Sequence, residues 1–324
     1  MVKIDKNLVF LFSENSRFKI KDSSMVLKKS SQRLKYSISM LFKEEILFKP
    51  HLVVDYSYFG LILFRVYFKG GYIGEKDKKS ILKLLDMNPY IVSIFELTGE
   101  FDLAIEFLSP NPSRFDKELK KLINLISTLS NYKVTLNLVT YIFPRFYLVK
   151  NKNLINYSKS EILIGGARVP LTLSDKQKAV LKSLKGEPTA RYTRLAKLTS
   201  FTTKTIFSTY NSLLDMGIIK GVRSLIARDK LGIFRFRLFL RLHNLNLERE
   251  SVLIDYSLKT EEIIHLNKTV GDWDLEIDIE SMDKFRIRLI IVELREQFKD
   301  IIESFNSIEF YKDYKREYLP DYFL

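Results

Sequence analysis

The chain has 324 residues, a net charge of +14, 46% hydrophobic residues, no cysteine and three histidines. Without cysteine there is no disulfide, thiolate metal site or cysteine nucleophile, and His51, His243 and His265 lack ligand spacing. No run approaches the roughly 18 apolar residues that cross a bilayer, and MVKIDKNLVF lacks the pattern of a signal peptide, so a cytoplasmic protein without a membrane partner is expected.

In chain order, residues 4–18 read as a helix, because Leu8, Leu11 and Phe12 recur at i, i+3, i+4. Residues 21–27 form a short second helix. Ser30 or Ser31 caps a third, with Leu34, Ile38 and Leu41 inward and an end near Glu45. The β-prone stretch 46–57 suits a wing or short hairpin. A strand–helix–strand–strand–helix–strand series follows at about 59–69, 75–87, 90–97, 101–108, 112–128 and 132–143, the order of a ferredoxin-like plait. Polar residues 150–172, with Gly165 and Gly166, read as a linker.

The series then begins again. Helices are expected at 175–185 and 192–198, and a third capped by Thr202 or Thr203 carries Ile206, Tyr210 and Leu213 inward before Gly217 ends it. Residues 218–229 match the wing. A second plait is expected at about 231–242, 247–258, 262–269, 273–280, 283–302 and 305–318. Gly99, Asp102 and Leu103 match Gly271, Asp274 and Leu275, and Gly60 and Arg65 match Gly232 and Arg237, all at one constant offset of about half the chain. A constant offset across separate blocks signals a repeated unit.

Charge follows the same division. Residues 1–50 and 173–221 each carry a net +6, whereas residues 222–324 carry −3. Two helical segments thus hold most of the excess, as expected of surfaces that meet a polyanion, chiefly nucleic acid.

Three helices, a wing and a ferredoxin-like domain with a G-x-x-D strand junction resemble the leucine-responsive/asparagine-regulator (Lrp/AsnC) transcription factors. LTGEFDLAIEF and KTVGDWDLEIDI carry the resemblance, with SENSRF, the third helix and the Gly60 and Gly232 strands in order. It spans the chain except the linker and the last few residues. It implies an α+β chain in which two winged helix-turn-helix domains (1–57 and 173–229) alternate with two ferredoxin-like (βαββαβ) small-molecule-regulation (RAM) domains (58–149 and 230–324) around the 150–172 linker. It also implies third helices in the major groove of double-stranded DNA. RAM domains would pair within the chain, in a homodimer or in a higher oligomer, and effectors would bind where they meet. The turn before the third helix usually holds glycine in this family, but here the position is Lys28 or Ser200. If it needs positive φ, that costs on the order of 1 kcal/mol.

The outward side chains of the third helices are the expected DNA readers: Ser30, Ser31, Gln32, Lys35 and Tyr36 in the first copy, and Thr202, Thr203, Lys204, Thr205 and Ser208 in the second. Glutamine pairs with adenine, lysine meets guanine or phosphate, and threonine methyls meet thymine. Arg17, Lys19, Lys21, Arg191 and Arg194 would position the heads on phosphates. The bland alternative is an ordinary solvated helix face. Unlike heads imply an asymmetric site.

Thr98, Gly99 and Asp102, with Thr269, Gly271 and Asp274, are where a small-molecule effector such as an amino acid would bind; the competing reading is a glycine turn whose aspartate satisfies its own backbone. No cofactor is expected. Trp273 reads as sheet packing. Asp274, Glu276, Asp278 and Glu280 lie on one strand face, expected to be solvated or salt-bridged to arginines of a paired domain such as Arg235 and Arg237 rather than to hold Mg²⁺. No G-x-S-x-G, P-loop or G-x-G-x-x-G is present. Siroheme-pathway decarboxylases share the two-domain architecture, but their characteristic His/Arg-bearing segments are not apparent, so no enzyme is expected. The competing non-enzymatic role is a winged-helix adaptor for transcription proteins.

Overall fold

The computed structural model describes residues 4–70, 74–157, 161–243 and 246–323. Residues 158–160 of the expected linker lie outside the described residues. The first half forms α1 (Lys6–Glu14), α2 (Ile20–Leu27), α3 (Ser31–Lys43), β1 (His51–Val54), β2 (Ile62–Phe68), α4 (Glu75–Met87), β3 (Ile91–Thr98), β4 (Leu103–Ser109), α5 (Pro112–Leu125) and β5 (Tyr132–Ile142). β6 (Ile162–Gly165) follows. The second half forms α6 (Asp175–Gly186), α7 (Tyr192–Thr199), α8 (Thr203–Asp215), β7 (Ile219–Arg223), α9 (Arg228–Leu231), β8 (Phe234–Leu242), α10 (Leu247–Lys259), β9 (Ile263–Val270), β10 (Leu275–Ser281), α11 (Lys284–Gln297) and β11 (Ile302–Arg316). The architecture is α+β. Each of α2, α3, α4, β3, β4 and α5 recurs in the second half with the same length and at the same offset.

Two units emerge. One holds both helical heads, residues 1–54, 143–162 and 173–233. In each head an apolar stripe turns inward: Leu34 and Leu41 from α3, and Ile206, Tyr210 and Leu213 from α8. The Ser30 hydroxyl caps α3 on the Arg33 N–H, and the Thr202 hydroxyl caps α8 on that of Thr205. Lys28 and Ser200 end α2 and α7 in left-handed backbone, φ 51° and 58°.

The stretches expected to fold as separate wings pair with each other instead. β1 lies antiparallel to β7, with His51 opposite Arg223 and Leu52 opposite Val222. Phe48 N–H donates to the Leu225 carbonyl, and Ala227 N–H to that of Ile46. Each head contributes a single strand, so each completes the other's two-stranded ribbon and covers its edge. Glu14 binds Arg145 and Arg223 at this junction.

The other unit holds residues 55–142, 163–172 and 234–324. Its strand order is β2-β4-β3-β11-β8-β10-β9-β5-β6, and β5 also pairs with β2. Eight strands therefore close into an antiparallel barrel, and closure removes the sheet edges that each plait alone would expose. Alternate residues face opposite sides. Around the first half, Phe64, Val66 and Phe68 point outward and pack with Ile81 and Leu85 of α4 and Phe115, Leu119 and Leu122 of α5. The inward set is mixed: Arg65 and Tyr67 share that side with a buried apolar cluster of Phe95, Leu97, Phe239, Ile308 and Phe310.

Two boundaries differ from expectation. Part of the 150–172 segment is structured: β6 joins β5, and the Gly165 N–H donates to buried Asp55. An added Cβ at Gly165 would meet the Leu138 carbonyl at 2.6 Å, so glycine lets the strands approach. The helix expected over 283–302 stops at Gln297, because buried Phe298 turns the chain and its carbonyl accepts from Ile301 and Ile302.

Candidate functional site

The heads present their third helices to solvent. On α3, Ser30, Ser31, Gln32, Lys35 and Tyr36 are exposed above buried Leu34. On α8, Thr202, Thr203, Lys204 and Ser208 are exposed and Thr205 is half-buried over Ile206. Lys19, Lys21 and Arg191 are exposed as well. Arg194 is exposed but paired with Glu187 at 2.8 Å. Arg33, in the first turn of α3 and exposed, is not among the expected readers although it directly follows Gln32.

Arg17 stands elsewhere. Its Nε and Nη2 donate to the carbonyls of Pro188 (2.9 Å) and Ala190 (2.6 Å) in the other head. Its guanidinium lies 5.3 Å from the Tyr192 ring centroid and 5.1 Å from that of Tyr210. Two of the donors of the side chain expected to clamp phosphate are thus engaged in a bond between heads, with its face against two aromatic rings.

The G-x-x-D junctions hold the barrel's own backbone. Asp102 accepts the Gly70 N–H, and Asp274 accepts the Leu242 N–H at 2.8 Å, equivalent bonds in the two copies of the repeat. Thr269 donates to the Trp273 carbonyl at 2.8 Å. Thr98 and Gly99 are exposed. Gly271, at φ 146°, is exposed where an added Cβ would meet the Val134 carbonyl at 3.0 Å. The Trp273 ring is stacked 5.2 Å from Phe239, in keeping with a packing role.

The barrel interior carries a cluster that sequence reasoning largely missed. Arg65 donates to Glu106 (2.9 Å), Asn137 (2.9 Å), Glu276 (2.7 Å) and Asn267 (3.0 Å). Arg237 grips Asp278 with Nε (2.6 Å) and Nη2 (2.9 Å), and Arg235 adds a bond to Asp278 at 2.6 Å. Arg65–Glu106 and Arg237–Asp278 are the same pair, once in each copy of the repeat. Glu276 stands between the two arginines and accepts from Tyr67 at 2.8 Å. Asp278 pairs with Arg235 and Arg237 of the neighbouring strand in its own plait, not with arginines of a paired domain as expected. Glu276, Asp278 and Glu280 are buried rather than solvated, and no metal-ligand cluster occurs among the described residues.

Where the first half has Ser93 donating to Glu106 at 2.7 Å, the second has His265, with Nδ1 3.2 Å from Asp278 and Nε2 3.1 Å from Arg316 Nη2. Burial holds the imidazole well below its ordinary range, outweighing Asp278, so it is neutral. Burial would raise the Glu106 carboxyl, but Arg65, Arg316 and Ser93 bring it down to about 2. Burial likewise opposes ionised Asp278, yet Arg237 and Arg235 hold it well below the usual range. Arg65, Glu106, Arg237, His265, Asp278 and Arg316, with Tyr56, Thr140 and Tyr318, line a cavity of about 30 Å³, room for a water or two. The signal in the sequence is polar alternation within otherwise apolar strands: Arg65 and Tyr67, Arg235 and Arg237, His265 and Asn267.

No family model and no curated protein matches the chain. Solved structures do. The siroheme decarboxylase NirDL superposes on 97% of this chain and 93% of its own, with a TM-score of 0.60 and 11% identity. The same enzyme in complex with an iron-uroporphyrin III analogue covers 98% and 93%, with a TM-score of 0.59 and 11% identity. E. coli AsnC covers 43% of this chain and 92% of its own, at 20% identity and a TM-score of 0.36. The full-length likeness establishes a shared fold. It also overturns the expectation that the chain is not an enzyme, because the same succession of heads and plaits builds a decarboxylase. No helix among the described residues is long and apolar enough to cross a membrane.

Proposed function

We propose that this chain binds double-stranded DNA through two unlike helix-turn-helix heads and regulates transcription in the manner of Lrp/AsnC proteins. The observation that carries this reading is the state of the two third helices. Both are capped and solvent-facing, and exposed Lys19, Lys21, Arg33, Lys35, Arg191 and Lys204 have no ion-pair partner among the described residues. Unpaired cations beside an exposed helix supply phosphate affinity, and Gln32, Arg33 and Lys204 supply base-edge donors. Footprinting on DNA upstream of the protein's own coding sequence tests it. Wild type should protect a bounded, non-palindromic site, and Gln32→Ala with Arg33→Ala should relax preference in one half of it. Uniform, sequence-blind protection would refute specific recognition.

A second reading places a decarboxylase in the barrel, and Asp278–His265–Arg316, together with the full-length likeness, favours it. Arg65 and Arg316 would hold a carboxylate, and neutral His265, backed by Asp278, would move a proton. The present cavity is far too small for a tetrapyrrole, so the barrel would have to open. Titration with iron-uroporphyrin III, followed by visible absorption and carbon dioxide release, decides it: an unchanged spectrum and no gas would remove this reading.

A further inference from the structure

We infer that Arg17 is a positioning residue that locks the second head's reading helix to the first head, so that the two heads meet DNA as one preassembled pair; the consequence for DNA rests on the proposed function, the lock itself does not. Arg17 belongs to the first head, between α1 and α2, yet its side-chain hydrogen bonds both reach the second. They end on two carbonyls of the turn leading into α7. Its ring contacts are with Tyr192, at the start of α7, and Tyr210, on α8 itself. Tyr192 also meets Phe207 of α8 edge-on, with centroids 5.5 Å apart. One guanidinium from the first head thus touches α8 directly and grips the turn and helix that set its angle.

The repeat supplies an internal comparison. In the register that sets Leu11 over Leu181, Arg17 falls on Glu187, which binds Arg194 of its own head. The copy thus spends its side-chain hydrogen bonds within its own head, and the Arg17 bond between heads is one that duplication alone does not produce. The ribbon of β1 and β7 and the Glu14 junction hold the heads at their strand side. Arg17 acts on the helical side, where α8 would otherwise pivot about the ribbon. Only arginine has a fork that donates to two carbonyls while its face lies on aromatic rings. A fixed pair of heads favours half-sites at one spacing, since a second head held in place binds at high effective concentration and only in register.

The absence of native cysteine makes the lock measurable without DNA. Spin labels at Ser39→Cys on α3 and Ser212→Cys on α8, both exposed, report the separation of the helices by pulsed dipolar spectroscopy. In the full chain we expect one narrow distance distribution, broadened at least twofold in width by Arg17→Met and intermediate in Arg17→Lys, with melting temperatures kept within a few degrees. An Arg17→Met distribution as narrow as that of wild type would overturn the inference. Anisotropy on the footprinted duplex then reads the consequence. A five-base-pair insertion between its halves should weaken wild type at least tenfold and Arg17→Met less than threefold, with single-half affinity within twofold for both. Equal insertion penalties would refute the spacing role. Broadening without any duplex binding by wild type would keep the lock and sink the DNA reading.

Discussion

Lys28 and Ser200 occupy the same turn in the two heads, and both take left-handed backbone that glycine adopts more readily. The sequence flagged these positions because they break a glycine pattern, and the observed φ values show that the turn keeps its shape regardless. Lys28→Gly and Ser200→Gly should each stabilise by about 0.5–1 kcal/mol in chemical denaturation, the relief of left-handed strain exceeding glycine's entropy cost. His265 could not be read this way. A lone histidine on an apolar strand carries no ligand spacing, and its partners Asp278 and Arg316 lie on two other strands, β10 and β11. Burial keeps it neutral in the fold, whereas in the unfolded chain it titrates near ~6.5. The unfolded state therefore binds the extra proton. Stability is full above that pH and falls below it, by up to about 1.4 kcal/mol per pH unit. His265→Asn should flatten the stability curve between about pH 6.5 and 5; the same acid slope in both proteins would show that the ring is charged in the fold.

At the scale of elements, helix and strand positions were legible because their patterns are local. Apolar spacing placed α3 and α8, and the constant offset of the repeat placed β3 with β9 and β4 with β10. Closure of the two plaits into one barrel was not legible. It depends on β11 pairing with β3, and on β5 pairing with both β2 and β9, contacts that periodicity does not report. For the same reason an acidic strand face read as solvated or bridged to a paired domain is instead buried in an ion network within the barrel. The cost of breaking that network depends on depth. Glu276, inside the barrel, holds Arg65 at 2.7 Å and lies 3.2 Å from Arg237. Glu276→Ala would leave two arginines short of a counter-charge and should cost about 3–5 kcal/mol. Glu100, at a hairpin tip, binds Lys69 at 2.8 Å with partial solvent access, and Glu100→Ala should cost under about 1 kcal/mol. Denaturant midpoints of the two variants check the contrast, and similar losses would mean that the interior charges are already hydrated.

For the whole molecule, the arrangement of parts was legible and its use was not. The same succession of heads and plaits serves a decarboxylase and, by resemblance, DNA regulators, so fold alone does not choose between them. The proposed DNA reading rests on charge placement, the net +6 in each of the two head segments against −3 over residues 222–324. Arg33→Ala, Lys35→Ala and Lys204→Ala combined should weaken duplex binding at least tenfold at ~0.1 M salt, while leaving thermal stability unchanged because none of the three has an ion-pair partner among the described residues to lose. The most direct measurement is the affinity of the full chain for a duplex as salt is varied. Two heads gripping phosphates predict a straight log–log line with a slope of about −4 or steeper, shallower by about two to three in the triple variant. A flat line, or no binding at ~50 mM salt, would contradict the DNA reading.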